Sequence, residues 1–142
     1  GVDKKVLQIL CEVKDQGTLQ ETATPVGYCW IDKSHGVDGA RAALCGFCFF
    51  KRTRQLRALG MLGIYYWMHG LKIDVVHGVT LDLNFAAQNY ALKLGFKVSA
   101  HVRDYHFYDG KLRGALVVTL RSVDFMPTFL QWFEQNRVAK AE

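Results

Sequence analysis

Asp109-Gly110 separates two runs rich in β-branched, aromatic and aliphatic residues, 96–108 and 111–121. A two-residue Asp-Gly link between such runs closes a β-hairpin. Both linking residues take positive φ there, which Gly adopts freely and Asp more readily than most. A hairpin this long belongs in a larger sheet, and the preceding chain supplies further strand patterns. Residues 18–24 and 25–31 read as two strands, the second starting at Pro25. Residues 32–40 are turn chemistry, dense in Asp and Gly. Residues 41–50 (RAALCGFCFF) read as a buried strand, and residues 72–77 (KIDVVH) as a short β-branched one.

Helical patterns alternate with these. Val6, Leu7, Leu10 and Val13 predict an amphipathic helix over 3–15, stopped by Gly17. A basic loop, KRTRQLR at 51–57, leads into a helix that reaches about His69 and is apolar nearly all round, with Gly70 at its end. Asn84 opens a helix that ends near Leu94, with Gly95 at the C-terminal cap position. A last helix covers 124–140, with Pro127 in its first turn. Its cluster of Phe129, Leu130, Trp132 and Phe133 implies packing on the sheet edge or on a second subunit, as in a homodimer. The order α-β-β-β-α-β-α-β-β-α implies an α/β fold: one mixed sheet with helices on both faces.

At 142 residues the chain is one domain, 1–142. Half of its residues are hydrophobic and 22% are charged, which excludes a disordered chain. The apolar stretch 58–68, broken by Gly60 and Gly63, is too short to span a bilayer, and no signal peptide pattern opens the sequence. Four cysteines in apolar surroundings read as reduced core residues of a cytoplasmic protein. Cys45 and Cys48 form a C-x-x-C inside a strand, without the further ligands that a metal site needs, so no metal is expected. The net charge of +5 suits an anionic ligand such as CoA or a nucleic acid.

Residues 84–96 read NFAAQNYALKLGF. They resemble the hallmark of the GNAT superfamily of N-acetyltransferases, N-x-x-A-x-x-L-Y-x-x-x-G-F, with Asn84, Ala87, Gly95 and Phe96 matching in spacing. Residues 103–120 (RDYHFYDGKLRGALVVTL) resemble the closing hairpin of the branch that acetylates protein N-termini and ribosomal proteins. The resemblance spans about residues 18–121. It implies a mixed, mostly antiparallel sheet with splayed central strands, and acetyl-CoA as acyl donor. The pantetheine would lie between strands 41–50 and 72–77, held by backbone groups of Phe47, Cys48 and Phe49. The loop bearing Arg52, Arg54 and Gln55 would wrap the pyrophosphate, with Asn84 and Ala87 also at the cofactor.

The chain departs from that family in four places. The family loop reads Q/R-x-x-G-x-G/A. One alignment puts Lys51–Leu56 there, with Arg54 and Leu56 at the glycine positions; a shifted one uses Gln55–Gly60 and keeps the last glycine. The tyrosine that commonly protonates the departing thiolate falls at Ala91, beside Tyr90, which an ideal helix turns about 100° away. The acidic residue often found on the preceding strand is replaced near Leu44. The family also carries a first strand and helix ahead of residues 3–15, which this chain is expected to lack.

Acyl transfer to an amine needs a base, a donor to the carbonyl oxygen and an acid for the leaving thiolate. His77 is the candidate base and Tyr90 the candidate acid. Each has a plainer reading: a strand-end histidine bonded to backbone, a helix residue facing the core, and for Asn84 an N-cap. The first functional reading is transfer of an acetyl or other acyl group from acyl-CoA to a primary amine of a small molecule, peptide or protein. The alternative is a weak or inactive domain of the same fold that binds CoA, a protein or RNA.

Overall fold

The computed structural model describes residues 5–15, 21–33 and 41–141. Its strands are β1 (Lys5–Asp15), β2 (Glu21–Asp32), β3 (Ala42–Phe49), β4 (Val75–Leu81), β5 (Lys97–Tyr108) and β6 (Lys111–Arg121). They form one six-stranded sheet in the order β1-β2-β3-β4-β6-β5. Neighbours run antiparallel throughout, except β3 and β4, which are parallel. Helix α1 (Leu56–Tyr65) continues into a π-helical turn (Tyr66–Gly70), and α2 (Phe85–Lys93) and α3 (Ser122–Ala141) complete the set. Among the described residues, no helix is long and apolar enough to cross a membrane.

The expected α/β class, mixed sheet and closing hairpin are all present. Asp109 (φ 54°) and Gly110 (φ 74°) both take the left-handed region, as the hairpin link requires. Gly95 ends α2 at φ 102°.

Residues 5–15 form an edge strand and not the helix expected there. The helical spacing arose because both faces of β1 carry apolar side chains. Leu10 joins the core, while Leu7, Ile9 and Val13 are exposed on the opposite face. The two strands expected over 18–24 and 25–31 are one strand, β2, that runs through Pro25. Pro25 sits opposite Cys11 at the register shift between Leu10 and Cys11, where Val26 is the extra residue. The turn expected at 32–40 falls outside the described residues from 34 onward.

The strand expected at 72–77 begins later, at Val75, and runs on to Leu81. Arg41 accounts for the shift. Its guanidinium donates to the Lys72 carbonyl at 2.7 Å and lies 3.1 Å from the Asp74 carboxylate. That grip falls on the irregular stretch before β4, where Lys72 takes φ 60°.

One hydrophobic cluster joins the sheet to all three helices. Cys29, Ile31, Ala43, Cys45, Val76, Val118 and Leu120 face Leu59, Met61, Ile64 and Trp67 of α1 and its π turn, Ala91 of α2, and Phe125 and Phe129 of α3. Tyr65 stacks on Phe129 with ring centroids 4.4 Å apart. The described helices therefore gather on one face of the sheet, and the expected helical cover of the second face is not among the described residues. That second face is open and partly apolar, with Leu7, Ile9, Trp30 and Val79 exposed.

Candidate active site

The sheet splits between β3 and β4. The two strands pair at Ala42–Val75, Ala43–Val76 and Leu44–His77, and no further. Beyond that rung the C-terminal halves of β3 and β4 diverge, which opens a slot through the sheet. The Arg41 carbonyl accepts from Asp74 and Val75, so residue 41 turns its peptide group toward β4. The Phe50 N–H donates to the Val26 carbonyl at 2.9 Å, so residue 50 turns toward β2. Peptide groups alternate along a strand. Phe47 and Phe49 therefore aim their N–H and C=O groups into the slot, where β4 no longer runs beside them. Cys48 does not join them. Its peptide group faces β2, its register partner is Tyr28, and its side chain is exposed. The Cys48 thiol raises the pKa of the neighbouring Tyr28 hydroxyl.

The wide end of the slot meets a cleft of about 1080 Å³ lined by Glu12, Phe49, Phe50, Arg52, Thr53 and Arg54, among others. Lys51, Arg52, Arg54 and Arg57 are all exposed around it. The extra residue in β2 fixes where this loop leaves the sheet, because the Val26 carbonyl accepts from both Phe50 and Lys51. Arg52 and Arg54 thus lie where an anion would be held. Gln55 is spent on structure: its amide donates to the Val13 carbonyl at 3.0 Å and accepts from the Val13 N–H at 3.3 Å. No side chain caps the N-terminus of α1, and its first turn carries no acidic residue. The first N–H groups of α1 are therefore free of a side-chain cap.

Tyr90 stands at the side of the slot. Its ring meets Phe47 and Phe49 edge-on, at 5.6 and 5.5 Å. Its hydroxyl donates to the Leu56 carbonyl at 2.6 Å. Burial, and to a lesser extent the Cys29 thiol, push the Tyr90 pKa well above its ordinary value. The turn of about 100° expected from an ideal helix does not carry Tyr90 away from the slot. Instead Ala91 is buried, and α2 packs so closely on Gly60 of α1 that Tyr90 fills the space between them.

Asn84 caps α2, accepting from the Ala87 N–H at 3.1 Å. On the diverging half of β4, the Thr80 hydroxyl is buried with no hydrogen-bond partner. Such a group costs about 1–3 kcal/mol until something bonds to it.

His77 occupies the narrow end. It is on the last paired rung, and its side chain points to the open face because Val76 and Gly78 face the core. Its Nδ1 lies 2.9 Å from Thr119 Oγ1 on β6. From Phe49 to Leu44 the slot descends about 16 Å at the rise of a strand. One end is therefore basic and lies beside a helix N-terminus. The other carries an imidazole reachable from the opposite face.

No family model matches the sequence, and no characterised protein matches it by sequence. Solved structures do match its fold. The spermidine N-acetyltransferase of Vibrio cholerae, determined with CoA and spermine, aligns over 87% of this chain and 69% of its own, with TM-score 0.71 and 12% identity. The ribosomal-protein-S5-alanine acetyltransferase of Vibrio fischeri aligns over 72% and 57%, with TM-score 0.61 and 11% identity. A dodecameric form of the Vibrio cholerae spermidine enzyme aligns over 84% and 66%, with TM-score 0.67 and 13% identity. The fold is that of the GNAT acetyltransferases. The split sheet, the basic cleft and the Asn84-capped helix all lie on this fold. Glu12 and Phe50, which line the cleft, and Thr80 and Thr119, which lie on β4 and β6, were not singled out by any local signal in the sequence.

Proposed function

We propose that this chain is an acyl-CoA-dependent N-acyltransferase, with acetyl-CoA as donor and a primary amine as acceptor. One observation carries the reading: the ladder between β3 and β4 stops at Leu44–His77, and the resulting slot joins a basic cleft to a histidine. The residues present fit the donor. Arg52 and Arg54, with the uncapped N-terminus of α1, suit its phosphates. The N–H groups of Phe47 and Phe49 and the orphan hydroxyl of Thr80 suit the amides of its pantetheine. Asn84 sets the start of α2 beside the slot.

Acetyl-CoA supplies the electrophile: the amine nitrogen bonds to the thioester carbonyl carbon, the C–S bond breaks, and the sulfur leaves as thiolate. The chain contributes position and proton handling. The acceptor approaches from the open face, and His77 takes the proton that the amine must lose. The slot-facing N–H groups of β3 are the available donors to the carbonyl oxygen. Tyr90 is the proposed donor toward the departing sulfur, and to donate there its hydroxyl turns its one hydrogen away from the Leu56 carbonyl. Its raised pKa keeps it protonated throughout, so it acts chiefly as a hydrogen-bond donor.

The acceptor class follows the neighbours of this fold, which include enzymes for spermidine and for a ribosomal protein. Association of copies is part of the proposal, since α3 leaves Leu130 and Phe133 exposed and one neighbour is a dodecamer. Four free cysteines suit a reducing compartment such as the cytoplasm.

Calorimetry with acetyl-CoA tests the reading. Binding at about micromolar strength is expected, and Arg54→Glu should weaken it at least about tenfold, or 1.4 kcal/mol. Thiol release on adding spermidine or an N-terminal peptide then identifies the acceptor class. No binding at about millimolar acetyl-CoA, near −4 kcal/mol, would sink the transferase reading and favour a protein- or RNA-binding domain on this fold.

A further inference from the structure

His77 Nδ1 lies 2.9 Å from Thr119 Oγ1, and Thr119 Oγ1 lies 2.9 Å from Ser99 Oγ. Ser99 Oγ lies 3.1 Å from the Val117 carbonyl oxygen. Strands β4, β6 and β5 thus supply one side chain each, all on the open face of the sheet. The direction of this chain is fixed at its far end. A backbone carbonyl only accepts, so Ser99 donates to Val117. A hydroxyl has one hydrogen, so the contact between Ser99 and Thr119 takes its hydrogen from Thr119. With that hydrogen spent, the contact between Thr119 and His77 takes its hydrogen from Nδ1.

We propose that this one-way chain holds neutral His77 as the Nδ1–H tautomer and leaves the Nε2 lone pair free at the narrow end of the slot. Thr119 and Ser99 are then positioning residues for the base. The use of that lone pair to accept the amine proton rests on the transferase reading; the tautomer does not. The opposite direction would abandon the Val117 acceptor and place the hydrogen on Nε2, and a ring so protonated cannot take a second proton there. When Nε2 gains the amine proton, Nδ1–H keeps its bond to Thr119, so nothing else in the chain must rearrange. The plainer reading, a strand-end histidine bonded to backbone, does not describe this contact, because the partner is a side chain that is itself directed.

Nitrogen chemical shifts of His77 in the 15N-labelled protein distinguish the tautomers at about pH 8, above the ordinary imidazole range. The expected spectrum shows a protonated Nδ1 and an unprotonated Nε2. Thr119→Val removes the acceptor with little change in shape. It should move the hydrogen to Nε2 and lower kcat about 10- to 100-fold, with KM for acetyl-CoA nearly unchanged. Thr119→Ser should restore both the tautomer and the rate. An Nε2–H signal in the unaltered protein overturns the proposal without any activity assay, as does an unchanged tautomer in Thr119→Val. The expected tautomer together with no transfer to any amine would uphold the chain and refute the transferase reading, so the two fail separately.

Discussion

Gly60 lies in the middle of α1, where helix propensity favours alanine by about 0.8–1 kcal/mol. The structure predicts the opposite sign. A Cβ at residue 60 would stand 2.2 Å from the Tyr90 hydroxyl oxygen and 2.8 and 3.0 Å from the Leu94 methyl carbons. Overpacking of this kind costs about 1–3 kcal/mol. Displacing the Tyr90 hydroxyl also loses its bond to the Leu56 carbonyl, about another 0.5–1.5 kcal/mol. After the propensity gain, Gly60→Ala should destabilise the fold by about 1–3 kcal/mol. For a domain of this size the melting temperature should then fall by about 3–10 °C. Thermal unfolding followed by circular dichroism reads it. The decisive arm repeats the substitution in a Tyr90→Phe background, where the nearest obstructing atom is gone. There the cost should shrink by about 1 kcal/mol, a coupling that only direct contact produces. A rise in melting temperature, or a cost unchanged in the Tyr90→Phe background, would refute the account of how α1 and α2 meet.

Two further outcomes follow from geometry already described. Gln55→Ala removes both contacts to Val13, so the Val13 amide should exchange with solvent faster and stability should drop by about 1 kcal/mol; unchanged exchange at Val13 would count against the brace. Cys48 is exposed, whereas burial pushes the Cys29 and Cys45 thiols up to about 12. At neutral pH an alkylating reagent should therefore modify Cys48 well before either of them, as mass spectrometry of native protein would show, and equal rates would contradict the burial.

The parts legible in the sequence were those set by local rules. Asp109-Gly110 forced a hairpin, Gly95 ended a helix, and Asn84 capped one, because each choice depends on a few neighbouring residues. The parts that were not legible depend on the sheet. Residues 5–15 carry apolar side chains on both sides of a strand, which mimics helical spacing. Gln55 looked like a ligand residue, yet its partner is Val13, 42 positions away. Cys48 lies between Phe47 and Phe49, but its peptide group faces β2, since a strand turns every second peptide group to the other side. His77 was visible as a candidate, but the hydroxyls that direct it come from β5 and β6, far along the chain.

The short parallel ladder has a consequence for how the chain assembles. Residues 5–49 build three consecutive antiparallel strands, and residues 75–121 build the other three, so each half closes its own contacts before needing the other. Among the described residues, the sheet's hydrogen-bonded ladder joins the halves only at the rungs from Ala42–Val75 to Leu44–His77, while the shared core and the rings of Tyr90, Phe47 and Phe49 pack across the junction. Contacts of greater sequence separation form at greater entropic cost, so this junction is the natural boundary between two cooperative units. The line along which the molecule is sewn is also the line along which it opens its slot.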